Sequence, residues 1–429
     1  MSAIIWLTRL WRSTATLFQQ RICSMFTKHV KAHAVAKVRL AAAAVVTRAG
    51  TMNFKRTFAL LLFGLLTGPA VAGVLPEDRS DVLYHLYVGG GVEIDGPSIL
   101  VRKQLGNSVS VVGNYYVDYV SSASIDVVTT ASPYTEERRQ YSLGIDYLRG
   151  NTTMRANYIS STESDFDSTT YSFSVSQDMF GDLTTLTLGY AYGEDIVGRS
   201  DDPTFRRDNR RQQYSVGLTQ ILTRNLIAAL NVETATDEGF LNNPYRSVRY
   251  FDPDVASGYS FEPELYPHTR TSNAVGLRAR YFLPYRAAVE VEYRYFIDTW
   301  DIQGNTASLT YIHPWGPFTF TIKGRYHDQT GAHFYRDLFP RAQATNFRGR
   351  DKELSELTSY TLKLKVSYQF IDVNKGWSFF KKGSITASID MLSIDYHDFS
   401  DLTAGAPVGS EPLYHLDANI FQVFVSFWY

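Results

Sequence analysis

From Val82 to the last residue, Tyr429, one pattern recurs: apolar or aromatic residues alternate with small, polar or charged ones, in runs separated by turn residues. Tyr141, Leu143, Ile145 and Tyr147 alternate with Ser142, Gly144 and Asp146; Tyr171, Phe173 and Val175 alternate with Ser172, Ser174 and Ser176. Tyr360, Leu362, Leu364, Val366, Tyr368 and Phe370 are interleaved with Thr361, Lys363, Lys365, Ser367 and Gln369. A period of two is the signature of an extended strand whose two faces meet different media. One face is apolar enough for lipid and the other polar enough for water, which suits a transmembrane barrel strand. A helical span would instead need about 18 consecutive apolar residues, and only the N-terminal region approaches that. The 29 tyrosines and 26 phenylalanines fit the same reading, because a barrel carries its apolar surface on alternate residues.

The breaks between runs fall into two kinds. Short turns are expected at Gly106–Asn107, Gly150–Asn151, Gly181–Asp182, Thr223–Asn225, Pro284–Tyr285 and His313–Pro317. Longer polar loops lie between them, near 120–138, 161–168, 193–211, 236–270, 298–305, 328–356 and 398–414. Tight turns at one end and long loops at the other are how outer-membrane barrels join their strands; a soluble sandwich has no need of that asymmetry. The spacing predicts about sixteen antiparallel strands, within a range of 14–18, in an all-β up-and-down barrel with periplasmic turns and extracellular loops. The first two strands are placed near 83–94 and 97–105 and the twelfth near 305–313. The last strand carries Phe421, Val423, Val425, Phe427 and Tyr429 at alternate positions and stops on an aromatic. That ending resembles the signal by which the barrel assembly machinery recognises its substrates.

Upstream of the barrel, Met52–Arg56 is a basic stretch, Thr57–Leu66 an apolar run, and Ala70-Val71-Ala72 a small-residue cleavage site. This is the build of a secretory signal peptide, with cleavage expected after Ala72. Residues 1–51 read as a start assigned too early, or alternatively as a transit-like extension, leaving 73–429 as the barrel. Residues 1–72 hold ten Lys/Arg and no Asp/Glu, so the remainder carries 32 basic and 43 acidic residues, a net charge of −11. An acidic secreted chain is a poor partner for nucleic acid. The single cysteine, Cys23, also lies upstream, which removes disulfides, thiolate metal sites and cysteine nucleophiles from the mature chain.

If the apolar face meets lipid, the other face looks into the lumen. Arg278, Arg280, Glu290, Glu292, Arg294, Lys323, Arg325, Lys363 and Lys365 then form one charged wall, seven cations against two anions. Asp118, Asp146 and Arg155 form a sparser set on earlier strands. Charged walls set ion selectivity, so a preference for anions is one expectation; charges that simply pair across neighbouring strands are the other. The loop containing Ser124, Ile125, Asp126 and Val127 is apolar where it meets water, so it is a candidate constriction loop folding into the lumen; a strand continuing above the membrane is the alternative. The 236–270 loop is rich in aromatics and arginine and reads as a lid, a docking surface or a folded cap. His327 and His333 share a region with Asp328 and Asp337, which allows a metal site there, although a polar surface loop is the plainer reading. Ser121, Ser122, Ser124 and Asp126 are the only group that suggests a hydrolase, and no G-x-S-x-G, H-E-x-x-H or phosphate-binding loop occurs. No catalytic set, cofactor or metal is expected.

The segments Tyr116–Thr129, Asn242–Tyr250 (with its Asn242-Asn243-Pro244-Tyr245 start) and Arg350–Ser355 resemble the outer-membrane family called domain of unknown function 3570, over essentially all of 80–429. The resemblance implies a barrel and brings no substrate or catalytic residues with it. Members of that family are encoded beside thioredoxin-like proteins, small lipoproteins and flavin transferases, which implies redox company. Three functional classes follow in order of preference: a channel or transporter for small solutes; a scaffold or sheath for a periplasmic, lipoprotein or redox partner; and an outer-membrane hydrolase. The expected surroundings are Gram-negative outer-membrane lipids.

Overall fold

The computed structural model describes residues 73–125, 134–371 and 379–429; the segments expected to be a signal peptide and an upstream extension lie outside them. Strands β1 (Arg79–Gly89), β2 (Val92–Leu105), β3 (Val109–Ser122), β4 (Tyr134–Arg149), β5 (Thr152–Thr162), β6 (Phe166–Met179), β7 (Thr184–Val197), β8 (Arg207–Ile221) and β9 (Leu226–Gly239) form the first part of the wall. The rest is β12 (Thr269–Phe282), β13 (Ala288–Asp298), β14 (Gln303–Trp315), β15 (Phe318–Gln329), β16 (Leu357–Ile371), β17 (Lys382–Ser400) and β18 (Leu413–Trp428). Every neighbouring pair is antiparallel, and β1 pairs with β18, so the sheet is a closed barrel of sixteen strands with no free edge. Two further strands, β10 (Ser247–Phe251) and β11 (Tyr259–Pro263), make a separate hairpin within the connection from β9 to β12.

The alternation predicted for each strand appears as alternating exposure. Tyr141, Leu143, Ile145 and Tyr147 of β4, and Tyr360, Leu362, Leu364 and Val366 of β16, are all exposed on the convex face. An apolar belt of that size is stable only against hydrocarbon, and closing the sheet removes the free edges that hydrocarbon could not satisfy. Phe421 and Val423 of β18 lie on this outer face, and Tyr429 ends the chain with its hydroxyl donating to the Arg102 carbonyl at 3.0 Å.

Both barrel ends of the chain lie at the end that carries the tight turns. The long connections gather at the other end, where several strands run two to five residues past their expected limits. The ladder continues there above the apolar belt, with polar pairs such as Glu194–Arg210 and Asp237–Arg270 in register. The exception to the turn and loop rule is also the misplaced boundary of the sequence reading. The break between the first two strands is at Gly90–Gly91, not at residues 95–96, and it is a tight turn at the loop end. Gly90 (φ 56°) and Gly91 (φ 73°) both occupy the left-handed region, as the two-residue hairpin turn requires. A Cβ on Gly91 would stand 2.4 Å from the Ala123 carbonyl oxygen.

Candidate functional site

The inner face of the barrel is divided. On β6 it presents Thr170, Ser172, Ser174 and Ser176, in register with Gly193, Ala191, Gly189 and Thr187 of β7, with Ser168 opposite Asp195 at one end and Asp178 opposite Thr185 at the other. β8 and β9 continue it with Ser215, Gly217 and Thr219 against Glu233, Asn231 and Ala229. These short side chains leave open space and line it with hydroxyls, some bonded to each other (Ser176 to Thr187, 3.0 Å). The wall that follows directly after β9, β12–β17, carries the long charged chains.

There Glu292 of β13 accepts from Arg278 Nε of β12 at 2.6 Å and from Lys323 Nζ of β15 at 2.9 Å. The second contact skips β14, which is possible only across the concave face. Arg280 pairs with Glu290 (Nε to Oε2, 2.8 Å), Lys363 with Asp390 (2.9 Å) and Arg294 with Glu233 (3.7 Å). Asp390 and Glu233 are acids that the sequence reading left out of this wall, so the seven cations face four carboxylates rather than two. Much of the charge is therefore paired across strands. Lys323 and Lys363 stand directly opposite each other in register, with Thr321 opposite Lys365, so like charges adjoin there although each of the two opposed lysines has an acid partner. Among the described residues Arg325, two positions above Lys323 and half-buried, makes no ion pair.

A second charged cluster closes the bore beside β1–β5. Asp146 accepts from both Arg102 and Arg155, and Asp118 from Arg138 at 2.7 Å and His85 at 2.8 Å. Arg102, Asp118 and Asp146 are almost solvent-free. A buried charge is tolerable only with its partner in place, so these networks are structural supports. Arg102, Arg138 and His85 were legible as inward-facing from strand parity; their mutual distances were not.

Above the bore the long connections fold into a cap. Isolated bridges tie Tyr250 to Phe339 and Leu265 to Arg348, joining the β9–β12 and β15–β16 connections, and a third, Tyr335 to Gly349, closes the β15–β16 connection on itself. Tyr266, Trp300, Phe334, Tyr335 and Leu354 form its apolar centre. Its electrostatic centre is Arg249, with no solvent exposure, which donates to Asp337 and to Glu411. Asp337 also pairs with Arg350 at 2.8 Å. Burial alone would raise the Asp337 carboxyl, but the Arg350 and Arg249 guanidiniums outweigh it and hold the group below its ordinary value. The connections holding Arg249 and Glu411 start six strand intervals apart, roughly 29 Å of wall at about 4.8 Å per strand. Their contact means that the cap crosses the mouth. On the far side Tyr245 donates to Asp165 of the β5–β6 connection, and the Ser200 amide donates to the Tyr245 hydroxyl at 2.7 Å.

The candidate constriction loop is described as far as Ile125. Ser124 and Ile125 are buried, Ile125 within a cluster that includes Val92, Val120, Leu357, Phe399 and Leu416, so this segment packs under the cap instead of extending into water. Asp126 and Val127 lie outside the described residues. The four groups considered for a metal do not converge. His327 meets Thr306 (2.8 Å), His333 meets the Trp300 carbonyl (3.1 Å), Asp328 accepts from Asn305 (3.1 Å), and Asp337 belongs to the arginine centre. Among the described residues no group of three His, Cys, Asp or Glu side chains is placed to hold a metal ion.

Known structures share the barrel form at low identity. OmpTdeltaL8, a loop L8 deletion mutant of the Vibrio cholerae outer-membrane protein OmpT, is 9% identical with a TM-score of 0.38, covering 82% of this chain and 98% of that one. A bacterial polysaccharide outer membrane secretin is 9% identical with a TM-score of 0.44, covering 82% and 98%. CdiB from Acinetobacter baumannii is 9% identical with a TM-score of 0.45, covering 82% of this chain and 60% of that one. Among curated proteins none matches the chain. The family model described as "Protein of unknown function (DUF3570)" matches residues 61–214 and 201–380. That is well over half of the sequence, and the chain belongs to this family, as an outer-membrane β-barrel of sixteen strands.

Proposed function

We propose that the protein is a capped outer-membrane channel for small solutes with a preference for anions. The observation that carries this reading is the divided lumen: a hydroxyl-lined stretch along β6–β9 adjoins a wall on which seven cations meet four carboxylates. A barrel of sixteen strands is wide enough to hold water, and fixed charge of one sign on a pore wall concentrates the opposite ion. The cap makes the passage conditional, because the loops must part or leave a side route for a solute to enter. The reading contains no chemical step and assigns none.

The test is the reversal potential of the purified protein in planar bilayers under a potassium chloride gradient. The expected result is a potential displaced toward the chloride equilibrium value; displacement toward the potassium value overturns the anion preference. Absence of conductance, together with a lipoprotein that co-purifies in fixed proportion, would replace the channel reading with that of a sheath.

A further inference from the structure

Where the cap meets the wall of β6–β9 a cavity remains, lined by Asp165, Asn209, Phe240, Tyr266, Trp300 and Glu353 among others. Its charges do not balance locally. Asp351 and Glu353 are met by Arg246 and Lys352, Asp237 by Arg211, and Arg270 by Asp298. Asp165 has only the neutral Tyr245 hydroxyl on one oxygen, and its other oxygen is buried with no hydrogen-bond partner. Asp195, next to the cavity, receives the Asn209 amide at 3.1 Å and makes no ion pair among the described residues. Because Asn209 spends its NH2 on Asp195, its carbonyl oxygen is fixed in orientation, and that oxygen too is buried without a partner. Asp165, Asp195 and Asn209 are each more than nine-tenths buried.

Buried carboxylates are ordinarily neutralised by a cation or by a proton, and buried acceptors are ordinarily bonded. Here unpaired acids and vacant acceptor oxygens surround one aromatic-walled space. We propose that this cavity binds the ammonium or guanidinium group of a small organic cation. Asp165 supplies the countercharge, Asn209 an oriented acceptor, and Asp195 a second charge behind it. Phe240 and Tyr266 offer aromatic surface that suits a cation, whereas Trp300 is already engaged by Arg270, 4.5 Å from its centroid. A metal ion fits less well, since no three ligating side chains converge. Burial holds the Asp165 carboxyl above its ordinary value, and a cation bound beside it would oppose that shift. The site stands on the cap and wall geometry and does not depend on the channel reading. If both hold, the solute admitted carries a cationic group at one end and an acidic group at the other.

Titration calorimetry of the full, detergent-solubilised barrel with agmatine tests the inference. Saturable binding is expected, at least ten-fold weaker in both Asp165→Asn and Asp195→Asn, with retained heat-modifiable migration on gels showing that the barrels are folded. Absence of agmatine binding to the native protein, equal affinity in native and variant proteins, or displacement of agmatine by magnesium at equal concentration would each overturn it. Anion selectivity is measured in bilayers without agmatine, so failure of one reading is distinguishable from failure of the other.

Discussion

Replacing Arg249 by methionine tests whether the cap is held by its buried charges. The side chain is inaccessible to solvent and bonds to Asp337 and to Glu411, and its Nε also donates to the Asp337 carbonyl at 3.0 Å. Methionine keeps much of the apolar stem and removes the charge. Asp337 retains Arg350 at 2.8 Å and the Ser400 amide at 3.2 Å, so its loss is partial. Glu411 keeps only the Gly409 amide at 2.7 Å while remaining largely buried. Breaking a buried pair by removing one partner costs about 3–5 kcal/mol; with Asp337 still matched, about 3 kcal/mol is the appropriate figure. At 1.36 kcal/mol per decade that is about a 150-fold rise in the open fraction of the cap. Hydrogen exchange reads this directly. The amides of Phe251 and Phe339, which bond across the two loops at 2.8 and 2.9 Å, should lose protection by that factor while β6–β8 amides keep theirs. Channel open time in bilayers should lengthen in parallel. The double variant Arg249→Met, Glu411→Gln should regain part of the loss, because no bare carboxylate remains. Unchanged protection of Phe251 and Phe339 in the single variant would refute the reasoning, and with it the idea that the arginine centre latches the mouth.

Glu163, buried in the β5–β6 connection, is raised from 4.5 to about 7, mainly by burial, with Glu136 adding to the shift and Arg138 opposing it. The folded state therefore holds the proton more tightly, and stability is greatest below pH 4.5, declines as pH rises, and has lost its full increment above about 7. Glu163→Gln should raise the melting temperature relative to the native protein at pH 8, by up to about 3 kcal/mol of stability, and leave it unchanged at pH 4; equal gaps at both values would contradict this. Ile125→Ala should cost about 2–4 kcal/mol of local packing and raise basal conductance. Arg325→Gln should move the reversal potential toward zero at little cost in thermal stability, since Arg325 makes no ion pair among the described residues. Gly91→Ala should lower the folded yield, by about 2 kcal/mol or more, from the φ requirement and the contact with Ala123 together; an unaltered yield would show that the turn relaxes.

The features that repeat were the ones legible in the chain. Strand parity follows from alternation, so the outward Tyr141–Tyr147 set and the inward Lys363 and Lys365 could be assigned residue by residue. The β1–β2 boundary was misplaced because Asp95-Gly96 and Gly89-Gly90-Gly91 both look like turns, and only the pairing of β1 with β18 decides between them. The continuation of strands above the membrane was missed because polar residues in a ladder look like polar residues in a loop. The cap was read as one aromatic and arginine-rich loop; its partners Asp337, Arg350 and Glu411 come from two other connections.

Sequence alone thus determined the membrane barrel, a strand number between 14 and 18 and which residues face lipid, because a period of two in two media leaves no other stable arrangement; closure at sixteen came from the structure. The tertiary structure decided what the charges do. Ion pairs such as Glu292 with Lys323, the latch of Arg249 with Asp337 and Glu411, and the unpaired Asp165 beside Asn209 all join residues far apart in the chain. Such contacts depend on register and on how loops cross the mouth, and no local pattern encodes either.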